Sequence, residues 1–569
     1  MIDTLPSPPP PAVASALAPS VTACHGEIIT RIDVYRYAPS RRTARTRAQS
    51  AGEAATDSMQ RGQRLDSDTD VVRAYLRLRV GRPCIEQDRA DSERMLRAQR
   101  FIASAAVTPI PMGEGRVRIR VDVVNEFELV IGGGLRGLSL DELRLGTLDY
   151  AGKGRTVIGS LKRGGEYRDG VGLTIAQPGF LGRPATLTVA AAQDPLGGGA
   201  RVTLFQPLVA DGQRVAFILN VDTDTDYQRL MRGEPDPVAV RTEHSTYQAG
   251  VLRRIGGVRG RAIGLLGVIV AGALATTDEN LVEIAESGLL PVNDTTLFGR
   301  FPTYRANHVA GVVALRGLRF RTVSRFDALR AEQDIATGAE LTLTAGPSLG
   351  TDGPNRDEFM AINLYAARGG AASFTSLGVR FDGRKRTSTR EWLAAVGNLR
   401  LARYRHIDTT RTRQITISAS ALQSIGLPMQ LSMADVEGGL IGYANSTLAG
   451  GRRLTARFEE RKLVSRESFW ADIAVGTFFD VGRIWRGDVP YGQTGPVMAS
   501  AGFSLQAAYP SGGKRLYRVD LGVPVRRGPG DAAFMVRFSA TDRTIARMPE
   551  PRDVMRSRLE AGPASLLRW

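Results

Sequence analysis

Two stretches of this 569-residue chain have the spacing of motifs that do chemistry. Gly132-Gly133-Gly134-Leu135-Arg136-Gly137 fits G-x-G-x-x-G, in which backbone amides at a helix start cradle a pyrophosphate. That chemistry needs a long helix next and then a parallel strand. SLDEL and LRLGTLDY follow instead and read as another strand, so the run is expected to be a glycine-rich first strand of a sheet. Gly346-Pro347-Ser348-Leu349-Gly350 fits G-x-S-x-G, in which a serine nucleophile stands on a strand-to-helix elbow. The following TDGPNRDEF is turn chemistry, so a strand-end turn is expected. His25, His244, His308 and His406 are scattered, and none lies at metal-ligand spacing from a cysteine, so no metal site is expected. Cys24 and Cys84 admit two readings. In a reducing compartment they would be two buried thiols, and in an oxidising one they would pair.

The elements that position these residues fall into two textures. Residues 26–124 read as a small α+β unit. Ile28, Ile32 and Val34 share one face of a first strand, and Asp68-Thr69-Asp70 offers cap chemistry to a helix with Val71, Val72, Tyr75 and Leu76 on one side. Gly81-Arg82-Pro83 ends that helix. A second helix over Glu86 to Gln99 presents Met95 and Leu96, and the strands FIASAAVTPIP and RVRIRVDVV follow. Cys24 precedes the first strand and Cys84 lies between the two helices, so a pair would staple this unit. Residues 40–67 are polar and read as a disordered insertion. Residues 1–25 lack a basic start, and their end, VASALAPSVTAC, reads as the remnant of a signal peptide.

Residues 125–540 run strand after strand, broken by Gly, Pro and Asp. In MASAGFSLQAAY, Ala501, Phe503, Leu505 and Ala507 alternate with Ser500, Gly502, Ser504 and Gln506. In RRLTARFE, Leu454, Ala456 and Phe458 alternate with Arg453, Thr455, Arg457 and Glu459. The charged set must face water. The apolar set needs a core or lipid, and so long a sheet without crossover helices is best closed on itself. At ~26 residues per strand and turn, the region holds about sixteen strands of an antiparallel transmembrane barrel. The longest apolar run, Ala262 to Ala275, is too short to cross a membrane as a helix. The net charge of +17 is spread along the chain, with only five Lys and no basic helix, which argues against a nucleic-acid partner and fits a basic lumen or anionic lipid. Residues 541–569 form a tail, with a short helix or disorder expected near Asp553 to Ala561.

The β-α-α-β-β unit, with DTDVVRAYLRLRVGRPCIEQDRADSERMLRAQRFIASAAV at its centre, resembles a POTRA domain. FFDVGRIW, ASAGFSLQAAYP and RVDLGVPV look like the end of a bacterial surface antigen barrel, of the BamA/TamA-type assembly-factor superfamily that also holds the two-partner secretion transporters. The resemblance implies a mainly β protein with one periplasmic domain and an outer-membrane barrel, which assists insertion or translocation of polypeptides. It implies no catalytic residue and no cofactor. It also implies as partners outer-membrane lipids and lipopolysaccharide, extended client polypeptides and accessory proteins, with clients adding to the POTRA strand edge. The alternative is a passive pore or structural barrel without assembly activity.

In that superfamily an Arg of a loop motif folded into the lumen meets the Asp of Phe-x-Asp-x-Gly. Here Phe478, Asp480 and Gly482 keep the second motif, while the loop reads Leu440-Ile441-Gly442-Tyr443, with Ile441 where Arg is implied. Asp480 must then use water or another arginine, with Arg452 or Arg453 the candidates.

Overall fold

The computed structural model describes residues 23–558 except 40–67, 137–138, 163–168, 235, 258–261, 279, 286–287, 350–355, 424–427, 445, 467–468, 528–531 and 543–548. The expected signal-peptide remnant and the polar insertion lie almost wholly outside the described residues.

The small α+β unit has strands β1 (His25–Tyr37), β2 (Pro83–Ile85), β3 (Ile102–Gly113) and β4 (Arg116–Asn125) in the sheet order β2-β1-β4-β3. Strands β1 and β4 run parallel, with Ile32 opposite Ile119 and Val34 opposite Val121. The expected first helix is a single turn, α1 (Asp70–Arg73), yet Val71, Val72, Tyr75 and Leu76 are all buried. The second, α2 (Glu86–Arg97), buries Met95 and Leu96 against the sheet. A disulfide joins Cys24 to Cys84 across a sequence separation of 60 residues. Burial holds the Tyr75 hydroxyl's pKa up, at about 12.

The outer edge of β3 is not open to an added strand. The Val107 amide donates to Glu93 at 2.8 Å, Arg89 donates to the Val107 carbonyl at 3.0 Å, and Pro109 and Pro111 have no N–H to give. Both carboxylate and guanidinium come from α2. The central donor and acceptor of this edge are thus already bonded within the domain.

The rest of the chain closes into an antiparallel barrel, its first strand Leu129–Arg136 beside its last, Met535–Asp542. Of the twenty-two strands in this sheet, the hairpin Val282–Ala285 and Gly288–Pro291 lies in the connection between Ile263–Thr277 and Tyr304–Ser324, leaving twenty in the wall. The expected sixteen is thus too few. Early strands are eight to twelve residues long with connections as short as the two residues between Asp194 and Gly197, so each strand and turn uses fewer residues than assumed.

Alternation along each strand sets the two faces. Leu266, Val268, Val270 and Leu274 point outward and are exposed, as are Val313, Leu315, Phe503, Leu505, Leu521 and Val523. Arg453, Glu459, Arg461, Asp480, Ser504, Gln506 and Asp520 point inward and are buried. So large an exposed apolar face is what lipid, not water, accommodates. The apolar run noted in sequence is the strand Ile263–Thr277, apolar on both faces because Leu265 and Ile269 pack inward. Gly132–Gly134 lie in the first wall strand, with no helix after them, and Ser348 lies within Glu332–Leu349, its hydroxyl bonded to the Asp357 backbone.

The α+β unit packs on the turns at one end of the barrel. Arg36, fully buried, donates to Asp149 at 2.6 Å, to the Gly152 carbonyl at 2.5 Å and to Asn125 at 3.2 Å. Arg97 meets Asp334 at 2.8 Å, and Lys514 donates to the Ile102 carbonyl at 3.0 Å and to that of Arg97. Burial holds the Lys514 ammonium's pKa down to about 8, against the pull of Glu126. These contacts tie the unit to the barrel turns.

Candidate functional site

Between the strands Arg411–Gln423 and Arg452–Leu463, the connection at the end far from the α+β unit folds back into the lumen. It carries a two-residue strand pair, Leu431–Ser432 with Ala449–Gly450, and a 3-10 turn over Asp435–Glu437. Leu440, Ile441 and Tyr443 are all buried. Gly442 has φ +104, a conformation side chains rarely adopt, and this bend turns the loop onto the wall. The wall is cut to receive it. A Cβ on Gly522 would lie 2.6 Å from Ile441, and one on Gly482 would lie 3.2 Å from Leu440.

Asp480, 1% exposed, is where loop and wall meet. It accepts from the Ile441 amide at 3.3 Å and from Arg457 through two bonds of 2.6 Å each. The two-pronged pair is the strong form of this contact. Arg457 stands directly opposite Asp480 in the strand pairing and leans over the Phe478 ring at 5.2 Å. The structure therefore brings Leu440, Ile441, Gly442, Phe478, Asp480 and Gly482 together as named in sequence, but the arginine comes from the wall. Arg452 points outward and is exposed, and Arg453 is engaged elsewhere, so neither expected candidate reaches Asp480. Arg457 belongs to the same inward set as Arg453, and only the register, invisible in sequence, selects it.

Tyr443 fixes the loop's other side. Its hydroxyl lies 2.9 Å from the Ala499 carbonyl and 2.8 Å from that of Arg526, and donates to one at a time. Beside the pair, Arg518 meets Glu459 at 2.9 Å and Asp520 at 2.6 Å, and Gln506 donates to Glu459 at 2.9 Å. This charged inner wall holds a loop. Among the described residues, no group of three or more His, Cys, Asp or Glu is placed to hold a metal ion.

Two more segments cross the lumen. The turn Arg325–Ala331 reaches over from the α+β end. Arg461 donates to its Arg325 and Asp327 carbonyls at 3.0 and 3.1 Å, Tyr404 donates to Asp327 at 2.8 Å, and Arg330 pairs with Asp472 at 2.6 Å. The C-terminal segment 549–558, with the short helix α3 (Arg552–Arg556), enters the lumen and lies under the folded-in loop. Sequence gave this tail's helix the range 553–561, but no role.

A closed antiparallel wall, apolar outside and charged inside, with a soluble domain docked on one end, defines a membrane-spanning β-barrel protein. In structure the chain is similar to BamA from Haemophilus ducreyi lacking POTRA domains 1-3, at 12% identity over 90% of this chain and 85% of that one (TM-score 0.41). It is similar to CdiB from Escherichia coli at 10% identity over 90% and 76% (TM-score 0.49), and to OccK5 (OpdH) from Pseudomonas aeruginosa at 10% over 72% and 94% (TM-score 0.30). No family model matches the chain, and no curated protein does. The class rests on this chain's own strand pairing and faces.

Proposed function

We propose that this protein sits in the bacterial outer membrane, with the α+β unit as a POTRA-like domain in the periplasm, and assists insertion or translocation of polypeptides. The observation that carries the reading is the seam. The barrel closes between two strands of eight residues each, at the glycine run, where a Cβ on Gly132 would lie 3.8 Å from that of Ala540. Wall strands elsewhere run up to 21 residues, as in Tyr304–Ser324, so the seam joins two of the shortest strands of the wall. Because the β3 edge is occupied, the client contact is assigned to the seam strands, whose backbone would pair with an incoming extended segment. The Arg457–Asp480 latch then holds the loop and the inner wall in one arrangement beside that seam.

A lock tests this. The Gly132–Ala540 spacing matches the mean Cβ separation of a disulfide, about 3.8 Å. The Gly132→Cys/Ala540→Cys double variant, cross-linked under oxidation, is expected to deplete client polypeptides from the outer membrane or medium of a complemented deletion strain, with recovery on reduction. Unchanged protein profiles with the cross-link formed would remove the assembly reading and leave the alternative, a passive pore or structural barrel.

A further inference from the structure

The C-terminal segment is bound in the lumen as a ligand would be. Asp553, 3% exposed, accepts two bonds from Arg453, at 2.5 and 2.9 Å, and one from the Ser432 amide at 3.1 Å. Three residues earlier, Glu550 pairs with Arg558 of the same segment at 2.6 Å and lies 3.8 Å from the wall arginine Arg380, which also pairs with the wall's Asp382 at 3.1 Å. Val554, fully buried, packs among Leu431, Met433, Leu440 and Tyr443 of the folded-in loop. Arg558 closes the contact by pairing with the wall carboxylate Asp382 at 2.7 Å and donating to the Val396 carbonyl at 3.2 Å.

Apart from the Glu550–Arg558 pair within the segment, these partners belong to the wall or to the loop. Arg380 and Arg453 lie on separate strands, Ser373–Arg386 and Arg452–Leu463, and both face inward. The wall thus presents guanidiniums at a spacing that two carboxylates three residues apart can satisfy, with an apolar hollow beside the second. Arg453, 2% exposed, would be costly to bury without a carboxylate to meet it.

We propose that this cradle is a peptide-binding site of the lumen, taking a segment with two carboxylates three residues apart and an apolar side chain after the second, and that residues 549–558 occupy it as a tethered competitor. A free peptide of that pattern binds when the tether leaves. The inference concerns the lumen alone and stands whether or not the barrel assembles other proteins.

The test uses the full-length chain in detergent. The Glu550→Arg/Asp553→Arg variant sets arginines against arginines and displaces the segment, and a heat-dependent shift in its gel mobility shows that the wall is intact. A labelled peptide, PEPRDVMRSR (residues 549–558), is then titrated by fluorescence anisotropy. The expected result is saturable binding to the variant, at least about tenfold weaker binding to the unaltered chain whose site is occupied, and a comparable loss when the peptide's aspartate is changed to asparagine. A second chain, Arg453→Asp/Asp553→Arg, restores the pair with its charges exchanged and is expected to exclude the peptide again. Equal binding to the variant and the unaltered chain, binding indifferent to the peptide's aspartate, or no binding to an intact variant would each overturn the proposal.

Discussion

Arg457→Ala is expected to lower the stability of the folded barrel by roughly 3–5 kcal/mol, the scale on which a buried pair is broken from one side. Asp480 is 1% exposed, and with Arg457 gone it keeps only the Ile441 amide at 3.3 Å. A buried carboxylate with one weak donor must either protonate or draw water into the lumen, and both loosen the loop. Arg457→Lys is expected to recover only part of the loss, because an ammonium cannot make both 2.6 Å bonds in the plane of the carboxylate. The check is the temperature at which the compact gel band of the detergent-solubilised protein gives way to the unfolded one, alongside protease cleavage within 424–451. An unchanged transition and an uncut loop in Arg457→Ala would mean that the pair does not hold the loop.

Loss of the Cys24–Cys84 bond is the second large effect, and it acts on the α+β unit alone. The bond closes a chain segment of 60 residues, which contains the polar stretch 40–67. Releasing a loop of that length costs roughly 4 kcal/mol by chain entropy. In a unit of this size that is a large share of its stability. The Cys24→Ala/Cys84→Ala variant is expected to show early proteolysis of residues 23–125 while the barrel band stays heat-resistant. Equal protection of the unit in oxidised protein and in the variant would count against a stabilising bond. Because Arg36, Arg97 and Lys514 tie the unit to the barrel turns, partial protection from docking is built into the baseline and is the same in both samples.

Much of the fold was legible because inward and outward residues alternate with period two. Leu454, Ala456 and Phe458 against Arg453, Thr455, Arg457 and Glu459 told the lipid side from the lumen before any strand was paired. Val117, Ile119, Val121 and Val123 likewise marked the core face of β4. Alternation does not carry register, and register decides chemistry here. Arg453 and Arg457 are equivalent in pattern, yet pairing sets Arg457 opposite Asp480 and leaves Arg453 to Asp553, a hundred residues on.

The count of strands failed for a related reason. The 414 residues from Leu129 to Asp542 hold twenty wall strands, about 21 per strand and connection, because tight turns are chosen by local backbone geometry. The closed edge of β3 was also illegible. Pro109 and Pro111 were plain in sequence, but only the packing of α2 brings Glu93 and Arg89 onto Val107.

The central claim is a closed, lipid-facing barrel, and the most direct measurement of it is fractionation of cells expressing the full chain behind a functional signal peptide, with gel mobility compared before and after boiling. A barrel with every wall strand paired offers no edge at which detergent can start unzipping it. The account predicts a band in the outer-membrane fraction that runs fast unheated and shifts on boiling. A protein in the soluble fraction, with the same mobility heated and unheated, would contradict the barrel and everything built on its lumen.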